Sequence, residues 1–502
     1  MKNNILPMPK TEQYGDAVYT FAPTYYCEGF DGAEKEAIAA ASDYFDRVFF
    51  RFLSRADSRD NAGIVCICDP ALAENAYVID TVDGCVTIHA SCGAALNHAF
   101  AALLLSVEAG DSGLLVPEMH IADAPEGSWR GLMVDLSRKW HPINYLYDAV
   151  DLCYLYKINR LQLHFTDDPS FTFPTDAYPK LRTENRCYSK EELRALDLYA
   201  AARGVMVVPE LDLPGHCSCF NAAYPEIFGS HGIMCAEEKT FAALETLIDE
   251  VLALFPNTRY LHLGGDEAQI ARWDDCEGCR AYREAHDLPD VHALYAHYLQ
   301  RMTDYVLSKD VTPVIWEGFS KEYNHLISKD VIVIAWESYY QLSPDLLEGG
   351  FTLINCSWKP LYICTPNTHW TPGEILKWDI HRWQHWWEKS IASKQDIVVP
   401  DTAPVLGGQI CAWGDQLVGM ASNEEACRME YALMRVRIPA LAEKTWNVHS
   451  QMTAEALEQR YAHTDAVLER MGREYTPFGR MVPGRNTRYI ISPRLFLRLK
   501  AS

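Results

Sequence analysis

The sequence contains no uninterrupted apolar run of about 20 residues, the length that a membrane-spanning helix needs. Its first residues also lack the apolar core and the cleavage site of a secretory signal peptide. Basic residues are scarce, with 45 Lys and Arg against 68 Asp and Glu and a net charge of −23. Nucleic acids and anionic membranes are bound through basic patches, so we expect neither as a partner.

The sixteen cysteines show no spacing typical of a disulfide-rich scaffold. Without an export signal, free thiols in a reducing cytoplasm are the expectation. Cys276 and Cys279 form a Cys-x-x-Cys pair, but no second Cys or His pair stands at zinc-ligand spacing. We therefore expect a loop at this pair and neither a metal nor an organic cofactor, although metal binding there stays an open question.

Residues 1–125 are predicted to form a separate α+β domain. Helices are indicated at 34–52 and 93–107, with short strands between them and a hairpin turn at Asp83-Gly84. The segment 111–127 holds two prolines and several acids, and it predicts a linker. At the other end of the chain, residues 451–502 are predicted to form a helical tail that packs on the preceding domain.

Residues 126–450 alternate between short apolar runs and helical stretches. The runs are 130–135, 160–165, 205–210, 260–263, 313–316, 331–336, 352–355 and 406–413. Eight strands over roughly 300 residues have the number and size typical of a (β/α)8 TIM barrel. The predicted fold class is therefore α/β, with this barrel preceded by the small α+β domain.

Acids and tryptophans recur at the predicted strand ends, where a barrel carries its functional side chains. They are Asp135, Asp167, Asp168, Glu210, Asp212, Asp266, Glu267, Trp316, Glu317, Trp336, Glu337, Trp358, Trp413 and Asp415. Flat indole rings can stack on the apolar face of a sugar, and carboxylates can accept hydrogen bonds from its hydroxyls. The pattern indicates a barrel that acts on glycosides.

Two adjacent carboxylates, Asp266 and Glu267, directly follow an apolar strand and the pair Gly264-Gly265. They have two interpretations: caps of a following helix, whose dipole favours acids, or a catalytic pair at the barrel mouth. Acids at the neighbouring strand ends favour the catalytic interpretation.

Longer motifs resemble glycoside hydrolase family 20, the β-N-acetylhexosaminidases. They are Arg130-Gly-Leu-Met-Val-Asp-Leu-Ser-Arg138, His164-Phe-Thr-Asp-Asp-Pro-Ser-Phe171, Pro209-Glu-Leu-Asp-Leu-Pro-Gly-His216, His262-Leu-Gly-Gly-Asp-Glu267, Trp413-Gly-Asp415 and Pro439-Ala-Leu-Ala-Glu-Lys-Thr-Trp446. The resemblance runs through most of the chain. It implies an exo-acting, retaining hydrolase that removes terminal GlcNAc or GalNAc from small glycans or glycoconjugates, without a cofactor.

The resemblance also implies individual roles. In this family the nucleophile is the 2-acetamido oxygen of the substrate, so Asp266 would hold the acetamido N–H and Glu267 would be the general acid and then the base. Asp167 and His216 would form a relay behind Glu267. The implied substrate contacts are Arg138 for ring hydroxyls, Tyr362 for the acetamido oxygen, and Trp316, Trp336 and Trp413 as pocket walls.

Two positions depart from the family pattern. Cys364 stands where the family commonly has an acid, and Asp415 stands where it commonly has a glutamate. Both positions usually bind distal hydroxyls of the terminal sugar, so recognition at its 4- and 6-positions stays open. Compensation could come from Trp378, Asp379 or His381.

Three other functions also stay open. A family relative of the lacto-N-biosidase kind would release a disaccharide and would need a roomier pocket. A catalytically silent sugar-binding barrel would have no use for an acid relay. A metal-dependent hydrolase with Asp and His ligands would lose its activity on chelation. The preference between GlcNAc and GalNAc, the linkage and the oligomeric state are not determined, with a homodimer as one option.

Overall fold

The computed structural model describes residues 3–111, 113–364, 370–385, 387–417, 422–475 and 481–483. Beyond Tyr475, most of the predicted tail therefore lies outside the described residues. Among the helices that are described, none has both the length and the hydropathy to cross a membrane.

A mixed sheet and two helices form the N-terminal domain. Its elements are β1 (Thr11–Phe21), β2 (Thr24–Glu28), α1 (Glu34–Phe49), β3 (Ser54–Arg55), β4 (Ile64–Cys68), β5 (Tyr77–Val82), β6 (Cys85–Ala90), α2 (Gly93–Ser106), β7 (Glu108–Ala109) and β8 (Leu114–Asp123). The sheet order is β1-β8-β5-β6-β4-β2-β3, and β7 pairs with β8. The predicted hairpin joins β5 to β6, and both Asp83 and Gly84 adopt the positive φ that such tight turns require.

The segment 111–127 is not the predicted linker. Leu114–Asp123 is strand β8, which pairs with β1 on one edge and with β5 on the other. Val116, Met119 and Ile121 are buried in the core of the domain. Buried and partly exposed residues alternate on either side of an irregularity at Pro117, and the proline and the polar residues of this run hide the period of two.

The chain from residue 129 onward contains the remaining elements. Its strands are β9 (Trp129–Asp135), β10 (Arg160–His164), β11 (Thr166–Asp167), β12 (Ser170–Phe171), β13 (Met206–Glu210), β14 (Tyr260–His262), β15 (Thr312–Trp316), β16 (Ile332–Ala335), β17 (Thr352–Asn355), β18 (Tyr362–Cys364), β19 (Arg382–Trp383), β20 (Ile397–Val398), β21 (Val405–Trp413), β22 (Arg473–Tyr475) and β23 (Met481–Pro483). Its helices are α3 (Ile143–Leu155), α4 (Lys190–Ala202), α5 (Ser218–Ala223), α6 (Pro225–Phe228), α7 (Glu238–Leu254), α8 (Glu277–Ala285), α9 (Val291–Leu307), α10 (Ser343–Glu348), α11 (Trp358–Leu361), α12 (Pro372–Ile375), α13 (Asn423–Trp446) and α14 (Ala454–Met471).

Eight parallel strands close into the predicted barrel. Their order is β9-β10-β13-β14-β15-β16-β17-β21, and β21 pairs back onto β9. All eight strands coincide with the predicted apolar runs to within a few residues. Because the strands are parallel, their carboxyl ends meet at one mouth, which is where the acids of the sequence converge.

Charged side chains are buried where the N-terminal domain packs on the barrel. The ammonium of Lys157, after α3, lies 3.1 Å from a carboxylate oxygen of Asp123 at the end of β8. It also donates a hydrogen bond of 2.8 Å to the hydroxyl of Tyr77 on β5. A second buried pair joins Arg47 of α1 to Asp151 of α3 at 2.8 Å. Buried charges require such partners, so these contacts fix the two domains together.

Helix α14, the part of the tail that is described, packs against both domains. It contacts α3 and α13 of the barrel and also α1 and α2 of the N-terminal domain. The predicted packing on the barrel is therefore only part of its role.

Candidate active site

A pocket of about 150 Å³ opens at the carboxyl ends of the barrel strands. Eight of the ten predicted site residues line it: Arg138, His216, Asp266, Glu267, Trp336, Tyr362, Trp413 and Asp415. Asp212, Trp358 and Cys364 complete its lining. The two predicted residues that do not line it, Asp167 and Trp316, lie behind and beneath it, as described below.

The turn after β14 aims Asp266 and Glu267 in different directions. Gly264 and Gly265 have φ angles of 65° and 98°, and Glu267 has a φ of 49°. A Cβ added at Gly264 would lie 1.8 Å from a carboxylate oxygen of Asp212, so only glycine fits there. As a result Asp266 is buried, whereas the side chain of Glu267 is 52% exposed.

Neither acid caps a helix. The next helical turn begins at Ile270 and makes no side-chain cap hydrogen bond. The capping interpretation of these two residues is therefore wrong, and both point into or beside the pocket instead.

The structure brings together the side chains that were predicted to form a relay behind Glu267. Nδ1 of His216 lies 3.4 Å from Oδ1 of Asp167, and Nε2 of the same ring lies 3.3 Å from Oε2 of Glu267. One imidazole thus bridges the two carboxylates. Both contacts are long for hydrogen bonds, as is common at catalytic sites that tighten when a substrate binds.

Asp167 is the most strongly held carboxylate of the relay. Its Oδ2 lies 2.7 Å from Nη2 of Arg138 and 2.9 Å from Nε2 of His164. Burial alone would raise the pKa of Asp167, but the hydrogen bonds of His164 and His216 and the charge of Arg138 outweigh it and lower the pKa. Asp167 is therefore a permanent anion under ordinary conditions.

A second buried carboxylate, Glu210, holds the floor of the pocket. Trp316 and Gln162 donate hydrogen bonds of 2.9 Å and 2.7 Å to it, and His164 lies 2.9 Å away. His262 adds a contact of 3.1 Å. Every one of these residues comes from inside the barrel, so the floor is fixed independently of the loops.

Trp316 belongs to this floor. The prediction that it forms a wall of the pocket is wrong. Its side chain is only 1% exposed, and its ring lies 6.0 Å from that of Trp413, which does line the pocket. As the last residue of β15, it points into the barrel interior, where its indole N–H binds Glu210. The sequence places Trp316 correctly at the end of a strand, but it does not indicate how deeply the side chain is buried.

Asp266 and Asp212 are neighbouring buried carboxyls that resist ionisation. Burial raises the pKa of Asp266 well above its usual value, and the charge of Asp212 adds to the effect. Burial likewise raises the pKa of Asp212 to about 7. A donor that enters the pocket and pairs with Asp266 would reverse this effect, because it would stabilise the anion.

Glu267 has the opposite electrostatics. The hydrogen bond from His216 is the main cause that lowers its pKa, while partial burial works against it. The pKa of His216 is raised well above its usual value, because Asp212, Asp167 and Glu267 together outweigh its burial. In the free protein the proton of this pair therefore resides on the imidazole.

Aromatic rings form much of the remaining lining of the pocket. Tyr362 stacks on Trp336 with an interplanar angle of 5° and a centroid distance of 6.0 Å. Trp358 lies 5.4 Å from Tyr362, and the guanidinium of Arg138 lies 4.9 Å from the ring of Trp413. The sequence analysis names Trp358 only as a tryptophan at a strand end. Its position shortly after β17 is the signal that could have assigned it to the pocket.

The residues proposed to compensate for Cys364 and Asp415 are not in this pocket. Trp378 and Asp379 line a different cavity, beside α12 and the start of α14. His381 also does not line the catalytic pocket; it lies 3.6 Å from carboxylate oxygens of Asp379 and Asp401. A ligand in this pocket would therefore contact Cys364 and Asp415 themselves.

Glu317, after β15, organises the loop that borders the pocket. Its carboxylate accepts backbone hydrogen bonds of 3.0 to 3.2 Å from five consecutive residues, 337–341. The loop exposes Tyr339 and Tyr340 at its tip. Its shape thus depends on one buried side chain.

Three clusters within the described residues bring ligand atoms of His, Cys, Asp or Glu within 4.8 Å of one another. Two of them, His164 with Glu210 and Asp212, and Asp167 with Asp212 and His216, belong to the relay and the floor described above. The third consists of Cys235, Cys276 and Cys279, and it lies outside the pocket.

Comparisons with known proteins identify the family and agree with the fold. The sequence profile described as "Glycosyl hydrolase family 20, catalytic domain" matches residues 128–449. A protein of Akkermansia muciniphila named beta-hexosaminidase is 32% identical over 230 residues, which cover 40% of this chain and 46% of that protein. A beta-hexosaminidase of Vibrio furnissii is 29% identical over 293 residues, covering 51% of this chain and 48% of the relative. The chain thus spans about half the length of these curated relatives.

Solved structures share the architecture at lower identity. A β-N-acetylhexosaminidase of Bacteroides fragilis superposes with a TM-score of 0.76 at 22% identity, over 97% of this chain and 99% of that one. An exo β-N-acetylglucosaminidase of Vibrio harveyi, solved with N-acetylglucosamine, gives a TM-score of 0.78 at 21% identity, over 94% of this chain and 78% of that one. At this identity the likeness establishes the fold alone.

Proposed function

Since this chain belongs to glycosyl hydrolase family 20, we propose that it is a retaining, exo-acting β-N-acetylhexosaminidase that uses the acetamido group of its substrate as the nucleophile. The observation that carries the proposal is the pairing of a buried Asp266 with an exposed Glu267 on one turn, backed by His216 and Asp167. Adjacent residues that point in different directions suit a division of labour between two carboxyls.

The first step transfers the glycosyl unit within the substrate. The acetamido oxygen attacks the anomeric carbon, the bond to the leaving oxygen breaks, and Glu267 protonates that oxygen. Asp266 accepts a hydrogen bond from the acetamido N–H and stabilises the positive charge that develops on the oxazolinium ring. The second step reverses these roles: Glu267 removes a proton from water as the water attacks the anomeric carbon, the acetamide reforms, and the β configuration is retained.

The electrostatics of the free site are set for a substrate that brings its own donor. Asp266 is neutral while it is buried beside Asp212, and an acetamido N–H supplies the partner that favours its anion. Glu267 is ionised while solvent and His216 stabilise it. A bound glycan removes solvent from its exposed side chain and so raises its pKa, as a general acid requires.

The shape of the site supports release of single terminal sugars. The pocket of about 150 Å³ is closed by aromatic rings on one side and by Asp266 and Asp212 on another. A roomier cavity of about 560 Å³, lined by Tyr340 and Arg272, adjoins Glu267 and His216. We assign the small pocket to the terminal sugar and the larger cavity to the leaving group. A disaccharide-releasing enzyme would need the larger space on the opposite side of Glu267.

The decisive test is turnover of p-nitrophenyl β-GlcNAc and β-GalNAc by the purified chain. We expect nitrophenol release, and absence of release from both substrates would overturn the proposal. Fluorination of the N-acetyl group then tests the nucleophile, because fluorine makes the carbonyl oxygen a poorer nucleophile. We expect kcat to fall steeply from acetyl to trifluoroacetyl, whereas a flat series would indicate a nucleophile supplied by the protein.

The substrate class, a terminal GlcNAc or GalNAc on a small glycan, and a cytoplasmic location are part of the same proposal. No disulfide bond joins any of the sixteen cysteines, all of which lie within the described residues, and this is consistent with a reducing compartment.

A further inference from the structure

The Cys-x-x-Cys pair at Cys276 and Cys279 has a third thiol beside it. Sγ of Cys235 lies 3.6 Å from Sγ of Cys276, and the three sulfur atoms all lie within 4.8 Å of one another. All three residues are at least 91% buried, since their exposed fractions are 5%, 9% and 0%. The pair looked incomplete as a metal site in the sequence because its partner stands 41 residues upstream of Cys276.

We propose that Cys235, Cys276 and Cys279 bind one Zn²⁺ ion as thiolates, at a structural site separate from the catalytic pocket. Zinc–sulfur bonds of about 2.3 Å in a tetrahedral arrangement place sulfur atoms roughly 3.8 Å apart, close to the separation seen here. Soft sulfur ligands select zinc over magnesium, calcium or manganese. An iron–sulfur cluster would need a fourth cysteine, which this group does not have.

Two features of the fold favour negative charge at these sulfur atoms. Cys276 is the N-cap of α8 and Cys279 lies in its first turn, where the helix dipole favours negative charge. The backbone N–H of Ala236 donates a hydrogen bond of 3.3 Å to Sγ of Cys279. Such N–H to sulfur bonds spread the charge that a metal-bound thiolate retains.

Glu237 lies beside the cysteine turn, but its carboxylate is not among the ligand atoms that lie within 4.8 Å of one another, so its side chain would have to shift to supply the fourth ligand. A Cβ added at Gly278, between the two cysteines of the pair, would lie 2.2 Å from Oε1 of Glu237. The carboxylate therefore lies over the cysteine turn, and Lys239 pairs with it at 3.0 Å. A water molecule could take the same position, and the choice between the two does not affect the thiolate ligands.

The site would join the two loops that carry the catalytic relay. The backbone N–H of Met234, next to Cys235, donates to the carbonyl of Pro214, two residues before His216. The indole of Trp273 lies between Glu267 and Cys276 in the chain and donates to the carbonyl of Met234 at 2.9 Å. A metal at the three sulfurs would thus hold the segment after β13 and the segment after β14 at a fixed separation.

Metal analysis of the intact, purified chain tests the proposal. Protein prepared with a phosphine reductant and without chelators should contain about one zinc ion per chain, as measured by inductively coupled plasma mass spectrometry. Replacement by Co²⁺ should give the near-ultraviolet charge-transfer bands of cobalt–thiolate bonds. Protein without metal that also fails to bind added Zn²⁺ or Co²⁺ would overturn the site.

Variants separate metal binding from general damage. Cys279→Ser should lose at least fivefold in zinc content, whereas Cys276→His, which keeps a ligand of the right type, should retain zinc. Cys187→Ser is the matched control and should keep full zinc occupancy and thermal stability. A disulfide would make the denatured, unreduced protein two mass units lighter than the reduced chain. Peptide mapping would then find Cys235 joined to Cys276 or Cys279, and this result would refute the metal site.

Discussion

The imidazole of His216 touches Asp167 through Nδ1 at 3.4 Å and Glu267 through Nε2 at 3.3 Å, so one ring connects a buried anion to an exposed carboxyl. Because Asp167 is held as an anion by Arg138 and His164, the ring keeps its proton and lowers the pKa of Glu267. The acidity of Glu267 in the free protein is therefore set by a residue that need not touch the substrate.

His216→Ala should raise the pKa of Glu267, because the hydrogen bond that lowers it is removed. The pKa is measured from the carboxyl ¹³C shift of labelled glutamate, with Glu267→Gln used to assign the signal. We expect kcat to fall by about one to two orders of magnitude as acid and base lose their partner. His325→Ala, at an exposed position, should change neither quantity. An unchanged pKa in His216→Ala would show that the relay does not act on Glu267.

Glu267→Gln should lower kcat by roughly 10²- to 10⁴-fold on substrates with poor leaving groups. The loss should be smaller on activated aryl glycosides, whose leaving oxygen needs little protonation. Glu337→Gln is the matched control, because burial raises the pKa of Glu337 to about 8 and makes this side chain neutral near pH 7. The control should keep kcat within about threefold. Equal losses in the two variants would contradict the role of Glu267.

Asp212→Asn should stabilise the fold increasingly as the pH rises from 5 to 8. The folded-state pKa of Asp212, about 7, lies above the usual unfolded value, so the folded protein binds the extra proton and loses stability as the pH rises through this window. Asparagine mimics the neutral form and removes the penalty, which amounts to at most about 4 kcal/mol at roughly 1.36 kcal/mol per pKa unit. Thermal unfolding of both proteins across this range measures it. A stability difference that stays constant with pH would refute the assignment.

Glu317→Gln should loosen the loop of residues 337–341, because an amide cannot accept five backbone hydrogen bonds as a carboxylate does. Tyr339 and Tyr340 make the loop a substrate for chymotrypsin once it opens. We expect cleavage there at least tenfold faster than in the native chain, with a raised KM. Glu322→Gln, at an exposed position, should leave the cleavage rate unchanged.

Cys364→Asp should improve kcat/KM by about tenfold or more on terminal sugars with free 4- and 6-hydroxyls, because a carboxylate forms stronger hydrogen bonds than a thiol. Burial raises the pKa of the Cys364 thiol to about 12, so it offers no charge to a sugar hydroxyl. Substrates methylated at O4 or O6 should gain nothing. Cys364→Ser serves as the neutral control, and an equal gain with serine would show that charge is not the missing element.

The barrel could be predicted from the sequence because its strands are buried on both faces and appear as short, continuous apolar runs. Strand β8 escaped prediction because Pro117 interrupts its alternation and polar residues such as Glu118 and His120 stand between the buried ones. The depth of a side chain at a strand end is likewise not visible in the sequence. Trp316 is the last residue of β15 and pairs with Ile334, whereas Trp336 lies just beyond the end of β16, and only Trp336 reaches the pocket.

Distance along the chain limited the remaining predictions. Asp167, His216 and Glu267 were grouped through resemblance to a family, and the structure gives the distances between them. Cys235 had no local signal that joined it to Cys276, because only the packing of two loops brings their sulfur atoms together. Folding therefore brings Cys235 to the Cys276–Cys279 pair, although the sequence shows only the pair.

The buried contact between Lys157 and Asp123 has a consequence for the chain as a whole. Lys157 belongs to the barrel, but its counter-ion is the last residue of a strand in the neighbouring domain, and neither side chain has any exposed surface. A barrel expressed alone would lose this counter-ion and the buried hydrogen bond to Tyr77, and breaking a buried ion pair typically costs about 3–5 kcal/mol. The small domain is therefore an obligate part of the catalytic unit, and the two should melt in a single cooperative transition.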